Sequence, residues 1–115
     1  MKLFTKVMKA LSDTNRVKIV KMLQHKRMCV CEIQEILAIA QPSVSKHLKI
    51  LEEAGLVENE KQGLWVNYFL NNGESNPYAS TLIGNLKYWL DDQEEIKELK
   101  QRLETVDRNK IKCKS

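Results

Sequence analysis

The sequence has few aromatic residues, few cysteines and no long apolar run. Aromatic residues make up 6% of its 115 residues, and this scarcity favours a mainly helical chain over a β-sandwich. The three cysteines, an odd number without framework spacing, do not suit the disulfide scaffold of a secreted domain. No segment approaches the roughly 18 consecutive apolar residues of a membrane span, and lysines interrupt the apolar residues of the N-terminus. We therefore expect a cytoplasmic protein with no targeting segment and no membrane partner.

The charge balance is weakly basic. Nineteen Lys and Arg residues against 15 Asp and Glu residues give a formal net charge of +4 and a pI near 9.0. This excess is compatible with an anionic partner but is too small to identify nucleic acid by itself. The length suits one domain, and no repeat is visible. We expect a single domain over residues 1–108 and a flexible tail over residues 109–115.

Apolar residues recur at helical spacing in the first half of the chain. The predicted helices span residues 3–11, 16–23, 32–37 and 42–54. Pro42 suits the first turn of the fourth helix, and Gly55 suits the residue just beyond its end. The third and fourth helices are joined by a brief turn, an arrangement typical of a helix-turn-helix.

The pattern changes after Gly55. Two β-rich runs, residues 56–60 and 64–70, flank a glycine-containing turn and predict a hairpin. A loop is expected over residues 71–78, followed by one long helix whose apolar seam, interrupted at Gln93, resembles a dimer interface. The predicted fold is therefore mainly α with a small β-hairpin: a winged helix-turn-helix that dimerises through its terminal helices.

The fourth helix carries an outward face suited to DNA. Val44, Leu48 and Leu51 share the core-facing stripe, so the opposite face is polar and basic and contains no acid. Such a helix fits the major groove, where short polar side chains contact base edges and lysines neutralise phosphates. A helical hairpin used for protein contact is the alternative for the same pattern.

Two of the three thiols lie in the stretch M-C-V-C-E-I-Q, residues 28–34. Thiolates are soft donors for As(III), Sb(III), Cd(II) or Zn(II). Cys29 and Cys31 are also compatible with a redox pair or with small buried side chains. Residues i and i+2 of an α-helix lie about 200° apart around its axis, so one ion bridges them only if the segment is extended or the first turn unwinds. We expect such binding to distort the first helix of the DNA-binding pair.

Four stretches resemble one known family. A-L-S-D-T-N-R-V-K-I-V, C-V-C-E-I, A-Q-P-S-V-S-K-H-L-K-I-L-E-E-A-G-L-V and K-Q-G-L-W-V-N-Y-F-L occur in order within residues 3–70. They are similar to the arsenic-repressor (ArsR/SmtB) family of metal-sensing transcription factors, although Thr14-Asn15 replaces a frequent Pro-Thr. The resemblance implies a homodimeric repressor that binds operator DNA without ligand and releases it when metal binds.

The resemblance also implies a site for an inducer. Cys29 and Cys31 match the arsenite-binding version, so As(III) or Sb(III) is the expected inducer, with Cd(II) or Zn(II) as alternatives and no constitutive cofactor. The family often has a third cysteine where this chain has Gln34, and Cys113 is a candidate for that missing ligand. The family's second metal site, on the C-terminal helix, is not expected because that helix has no histidine.

The expected DNA contacts lie on the fourth helix and at the hairpin tip. They are Gln41, Pro42, Ser43, Ser45, Lys46, His47, Lys49, Lys61 and Gln62. His47 lies near the core boundary, so packing or phosphate contact suits it better than metal ligation. A redox-sensing or zinc- or cadmium-sensing repressor is the main alternative function. A thiol-dependent reductase is disfavoured, because no general base is identifiable near the thiols and no Gly-rich cofactor loop is present; we do not expect an enzyme.

Overall fold

Six helices and one antiparallel hairpin form the fold, as seen in a computed structural model that describes residues 1–71 and 76–107. The elements are α1 Lys2–Ala10, α2 Thr14–Leu23, α3 Val30–Leu37, α4 Gln41–Glu53, β1 Val57–Gln62, β2 Trp65–Leu70, α5 Pro77–Leu86 and α6 Glu94–Thr105. The predicted winged helix-turn-helix is confirmed. Among the described residues, none of the helices has the length and apolar character needed to cross a membrane.

The core is built from the apolar stripes of the helices. Ile19 and Val20 of α2, Ile33 of α3 and Leu48 and Leu51 of α4 are buried in one cluster. Burial of such side chains contributes about 1.5–3 kcal/mol each. All three helices therefore pack into one shared core, so α3 and α4 are in contact through buried side chains.

Local signals set the ends of the helix-turn-helix pair. The turn between α3 and α4 passes through Ala38, which has a left-handed backbone (φ 55°) and whose N–H donates to the carbonyl of Gln34 at 2.8 Å. Helix α4 ends as predicted before Gly55, whose φ of 77° suits glycine. The hairpin follows, and its register pairs Val57 with Leu70 and Gln62 with Trp65.

The C-terminal part of the chain differs from the prediction. The single long terminal helix is wrong: α5 ends at Leu86 and α6 begins at Glu94. Between them Leu90 has a φ of 69°, which no continuous helix allows. The buried ammonium of Lys21 in α2 donates to the carbonyls of Leu86 and Trp89, at 2.8 and 2.7 Å. A distant cation therefore binds the end of α5, an interaction that a local apolar period does not report.

The predicted loop over residues 71–78 is also too long at its C-terminal end. Asn76 caps α5, since its side-chain oxygen accepts from the N–H groups of Tyr78 and Ala79 at 3.2 and 3.1 Å. Its amide donates to the carbonyl of Ala54 at 2.9 Å, which fastens α5 to the end of α4. The predicted flexible tail, residues 109–115, and with it Cys113, lies outside the described residues.

Candidate DNA-binding surface and thiol site

The outward face of α4 carries the side chains predicted to contact DNA. Gln41, Pro42, Ser43, Ser45, Lys46 and Lys49 are all exposed. The buried residues of the same helix are Val44, Leu48 and Leu51, so the predicted register is correct. The exposed polar groups therefore lie together on one side of a helix that is anchored by its other side. This is the arrangement that direct reading of a major groove requires.

His47 lies at the edge of that face and is half-buried. Its Nδ1 is 3.3 Å from Nη1 of Arg16. The same guanidinium donates to the carbonyls of Ala10 and Lys9, at 2.7 and 3.2 Å. Arg16 thus links the end of α1 to α4, which is called the reading helix below. Sequence reasoning missed Arg16, because its partners lie on other helices.

Asp13 completes this link from the start of α2. Its carboxylate accepts from the backbone N–H of Arg16 at 3.1 Å and lies 4.0 Å from Nη1 of the same residue. Burial opposes ionisation of Asp13, but the Arg16 N–H, with the charges of Arg16 and His47, outweighs it and lowers the pKa of the Asp13 carboxyl. The ionised carboxylate helps to hold Arg16 against the reading helix.

The wing, defined as β1, β2 and the turn between them, presents its tip to solvent. Lys61 and Gln62 are exposed there, and Gln62 accepts a hydrogen bond from the amide of Asn67 at 2.6 Å. The wing also carries acids, among them Glu60, whose carboxylate lies 3.0 Å from Nη1 of Arg27. Arg27 therefore offsets a negative charge close to the basic tip.

The cysteine pair lies at the start of the first helix of the DNA-binding pair. Cys29 is the N-cap residue of α3, with an extended backbone (φ −88°, ψ 168°), and Cys31 lies in the first turn. Both are buried, with exposed fractions of 2% and 7%. Helix α3 begins at Val30 rather than at the predicted residue 32. Because Cys29 is already extended, one ion can reach both thiols with less unwinding than a fully helical pair would need.

Glu32 explains the earlier start of α3. The buried carboxylate of Glu32 accepts from the backbone N–H of Cys29 at 3.0 Å. The backbone N–H of Glu32 in turn faces the Cys29 side chain. This is a capping box in which a thiol replaces the usual hydroxyl. Lys26 lies 3.9 Å from the same carboxylate. The three-residue spacing from Cys29 to Glu32 was the sequence signal that could have identified it.

The two thiols differ in state. Cys29 takes no part in a disulfide bond, whereas Cys31 does, so the two cysteines are not bonded to each other. Within residues 1–71 and 76–107, no three His, Cys, Asp or Glu side chains are grouped to hold a metal ion.

The other end of α3 is fixed from α6. Nη1 of Arg102 donates to the carbonyl of Ile36 at 2.7 Å, two residues before Ala38 at the helix-turn-helix bend. Leu99 and Leu103 flank Arg102 and are buried in the core. Sequence reasoning missed this contact, because a lone arginine on a charged helix face normally indicates a solvated side chain.

Three features define a winged helix-turn-helix DNA-binding protein. They are the exposed polar face of α4, the helix α3 that is held at both of its ends, and a charged wing. The model of the family described as "Bacterial regulatory protein, arsR family" matches residues 13–59. An arsenical resistance operon repressor from Bacillus subtilis (strain 168) is 41% identical over 73 residues, covering 63% of this chain and 70% of the relative. One from Escherichia coli (strain K12) is 34% identical over 96 residues, covering 83% and 80%.

Other similar proteins fit the same class. The cadmium resistance transcriptional regulatory protein CadC of Listeria innocua is 43% identical over 65 residues, covering 56% of this chain and 55% of the relative. The solved transcriptional repressor BigR from Xylella fastidiosa superposes with a TM-score of 0.67 at 28% identity, covering 78% of this chain and 85% of that one. This chain belongs to the arsR family of bacterial regulatory proteins. It is a DNA-binding transcriptional regulator rather than an enzyme.

Proposed function

We propose that the protein is a homodimeric repressor that releases its operator when a trivalent metalloid, arsenite or antimonite, binds Cys29 and Cys31. The observation that carries the proposal is the place of the thiols. Cys29 caps α3 and Cys31 lies in its first turn, so a ligand acts directly on the helix that supports the reading helix. The relatives named arsenical resistance operon repressors point to the same inducer.

The donor set suits a soft ion. Two thiolates fit As(III) or Sb(III), and a third donor would complete the coordination of such an ion. We propose Cys113 for this role, since it is the one remaining cysteine of the chain. The disulfide at Cys31 must be reduced before that sulfur can bind an ion. Metalloid sensing is therefore a property of the reduced protein, as expected for a regulator that acts on DNA in the cytoplasm.

Release follows from loss of the α3 cap. Drawing both sulfurs onto one ion turns Cys29 away from Glu32, which breaks the hydrogen bond between the Cys29 N–H and the Glu32 carboxylate. The start of α3 then shifts, and the shared core carries that shift to Leu48 of α4. A tenfold loss of DNA affinity requires only about 1.4 kcal/mol of coupling.

DNA binding is assigned to α4 and the wing tip. Gln41, Ser43 and Ser45 reach base edges from the start of the reading helix, while Lys46, Lys49 and Lys61 contact phosphates. Pro42, His47 and Gln62 lie beside them. In a symmetric dimer this predicts an inverted-repeat operator with half-sites about 34 Å apart.

The dimer surface is proposed to lie on α1 and α5. Leu3, Phe4 and Met8 of α1 are exposed, as is Tyr78 of α5. The rings of Phe4 and Tyr78 meet edge to face with centroids 5.3 Å apart, so these side chains form one continuous apolar patch. Such a patch on a small protein indicates an interface. It includes the N-terminal helix α1, whereas Leu99 and Leu103 of the C-terminal helix α6 are buried in the core of this chain.

The test is release of operator DNA by reduced protein. The operator here is a DNA duplex that the ligand-free protein selects from randomised DNA. The complex of the reduced protein with this operator is titrated with arsenite, antimonite, cadmium, zinc and peroxide. Arsenite and antimonite should release wild type but not Cys29→Ser or Cys31→Ser, and Cys113→Ser should respond more weakly. A full arsenite response in both Cys29→Ser and Cys31→Ser would refute the proposed site.

A thiol redox sensor is the second candidate, and the disulfide at Cys31 favours it. In that case oxidation alone changes DNA affinity. Peroxide should then release the operator without metalloid, and reduction should restore binding. The CadC relative similarly favours cadmium as a competing inducer. The titration above separates these three inducers.

A further inference from the structure

We propose that Arg27 and Met28 are positioning residues that transmit ligation of Cys29 to the wing. In this view the thiol site controls two DNA-binding elements, the reading helix through α3 and the wing through residues 27–28. The inference rests on the proposed function, because it requires a ligand at Cys29. It adds a second route, and that route makes a separate prediction about β2.

Met28 is attached to the wing by its backbone. Its N–H donates to the carbonyl of Tyr68 at 3.1 Å, and the N–H of Tyr68 donates to the carbonyl of Met28 at 2.8 Å. The two residues form an isolated antiparallel bridge, and Met28 is fully buried. The residue immediately before Cys29 thus acts as a one-residue third strand beside β2.

Arg27 adds a side-chain connection to both strands of the wing. Its Nη1 lies 3.0 Å from the Glu60 carboxylate of β1. Its guanidinium carbon lies 4.0 Å from the centre of the Phe69 ring of β2, a cation–π contact. Consecutive residues before the thiol pair therefore hold the wing at Glu60, Tyr68 and Phe69.

One peptide unit joins the thiol site to the wing. The carbonyl of Met28 and the N–H of Cys29 belong to the same planar group. That carbonyl accepts from Tyr68, and that N–H donates to the carboxylate of Glu32. A rotation that frees the Cys29 N–H from Glu32 must therefore also turn the Met28 carbonyl away from Tyr68.

The paired strands of the hairpin connect Tyr68 to the tip of the wing. Tyr68 pairs with Asn59 of β1, and the same ladder continues through Lys61 opposite Val66. Loss of the Met28 bridge leaves the hairpin without its attachment to the start of α3. Asn59 of β1 still donates to Glu52 of α4 at 2.8 Å, so the strands stay beside α4 while the tip at Lys61 is held less firmly for its phosphate contact.

The first test follows the Tyr68 amide by NMR in the reduced, full-length chain. Sodium arsenite is added, and native mass spectrometry establishes whether it is bound. The expected result is a shifted Tyr68 resonance and hydrogen exchange of that amide faster by about tenfold or more. If arsenite binds and the Tyr68 amide is unchanged, the inference is overturned while the proposed function stands. If the mass shows no arsenite, the proposed function fails and the inference fails with it.

The second test measures coupling, as the ratio of operator affinities without and with arsenite. Arg27→Met combined with Glu60→Gln removes the ion pair and the cation–π contact at constant net charge. This ratio should fall about threefold relative to wild type, and Arg27→Lys should restore part of it. The matched control, Lys18→Met with Glu95→Gln, removes an ion pair outside the wing, in which Nζ and Oε2 lie 3.4 Å apart. This control should leave the ratio unchanged. An unchanged ratio in the Arg27 double variant overturns the inference.

Discussion

Substitutions of Cys29 should separate its role as the N-cap of α3 from its proposed role as a thiolate ligand. Serine at this position keeps an oxygen that can accept from the N–H of Glu32, the group that the Cys29 side chain faces. Alanine removes that acceptor. Both substitutions remove the sulfur, so neither variant should respond to arsenite. The two differ only in how well they start α3.

The expected difference follows from the capping geometry. Serine is more favourable than alanine at an N-cap by about 1 kcal/mol, equivalent to roughly fivefold in an equilibrium constant. Cys29→Ser should therefore unfold with a free energy about 1 kcal/mol higher than that of Cys29→Ala. Its operator affinity should also be the higher of the two, because α3 supports the reading helix.

Cys31 provides the control, because it lies inside the first turn rather than at the cap. Alanine is a better helix former than serine by about 0.5 kcal/mol, so Cys31→Ala should be at least as stable as Cys31→Ser. Urea unfolding of the four reduced variants, with equal m-values, measures both orders. If Cys29→Ala equals or exceeds Cys29→Ser in stability, the capping argument is wrong.

Three further predictions concern stability. Lys21→Met should lower the free energy of unfolding by roughly 3 kcal/mol, measured in urea, because the carbonyls of Leu86 and Trp89 lose their donor; a loss no larger than that of a surface lysine would contradict this. Ala38→Gly should raise the melting temperature, with a gain of about 0.5–1 kcal/mol, since φ there is 55°; a lower melting temperature would show that the turn is not strained. Hydrogen bonds from Lys21 and then Lys100 lower the pKa of Asp91 below 3.8. The ionised Asp91 carboxylate therefore stabilises the folded state above pH 3.8, and this stabilisation is lost as the pH falls through the lower, folded-state pKa. Asp91→Asn should therefore flatten the pH dependence of unfolding in that range, and an identical profile would argue against the assignment.

The reading helix could be predicted from sequence because its signals are local. The spacing of Val44, Leu48 and Leu51 gave the buried face, and Gly55 marked the end of the helix. Each of these depends on residues within a few positions of one another. The outward polar face of α4, which is proposed to contact DNA, followed from that register alone.

The break between α5 and α6 could not be predicted in the same way. The apolar seam continues on both sides of Leu90, so its period suggests one helix. The break depends on Lys21, which contacts Asp91 at 2.6 Å across 70 positions of sequence. Only the three-dimensional arrangement places that cation at the end of α5.

The thiol site lies between these cases. The pair and its soft-donor chemistry were visible in sequence, whereas the capping box between Cys29 and Glu32 was missed although its three-residue spacing is local. The attachment of Met28 to Tyr68 was not visible, because it joins a single residue to a strand 40 positions away. Sequence therefore singled out the two cysteines proposed as ligands, whereas their connections to other elements required the fold.

The most direct test of the account is the affinity of the reduced protein for arsenite, measured free and when bound to its operator. Coupling between two sites is reciprocal, so each ligand must change the affinity of the other by the same factor. If arsenite weakens operator binding about tenfold, the operator must weaken arsenite binding by about tenfold too. Equal arsenite affinities with and without operator would contradict the claim that ligation of Cys29 and Cys31 drives release of DNA.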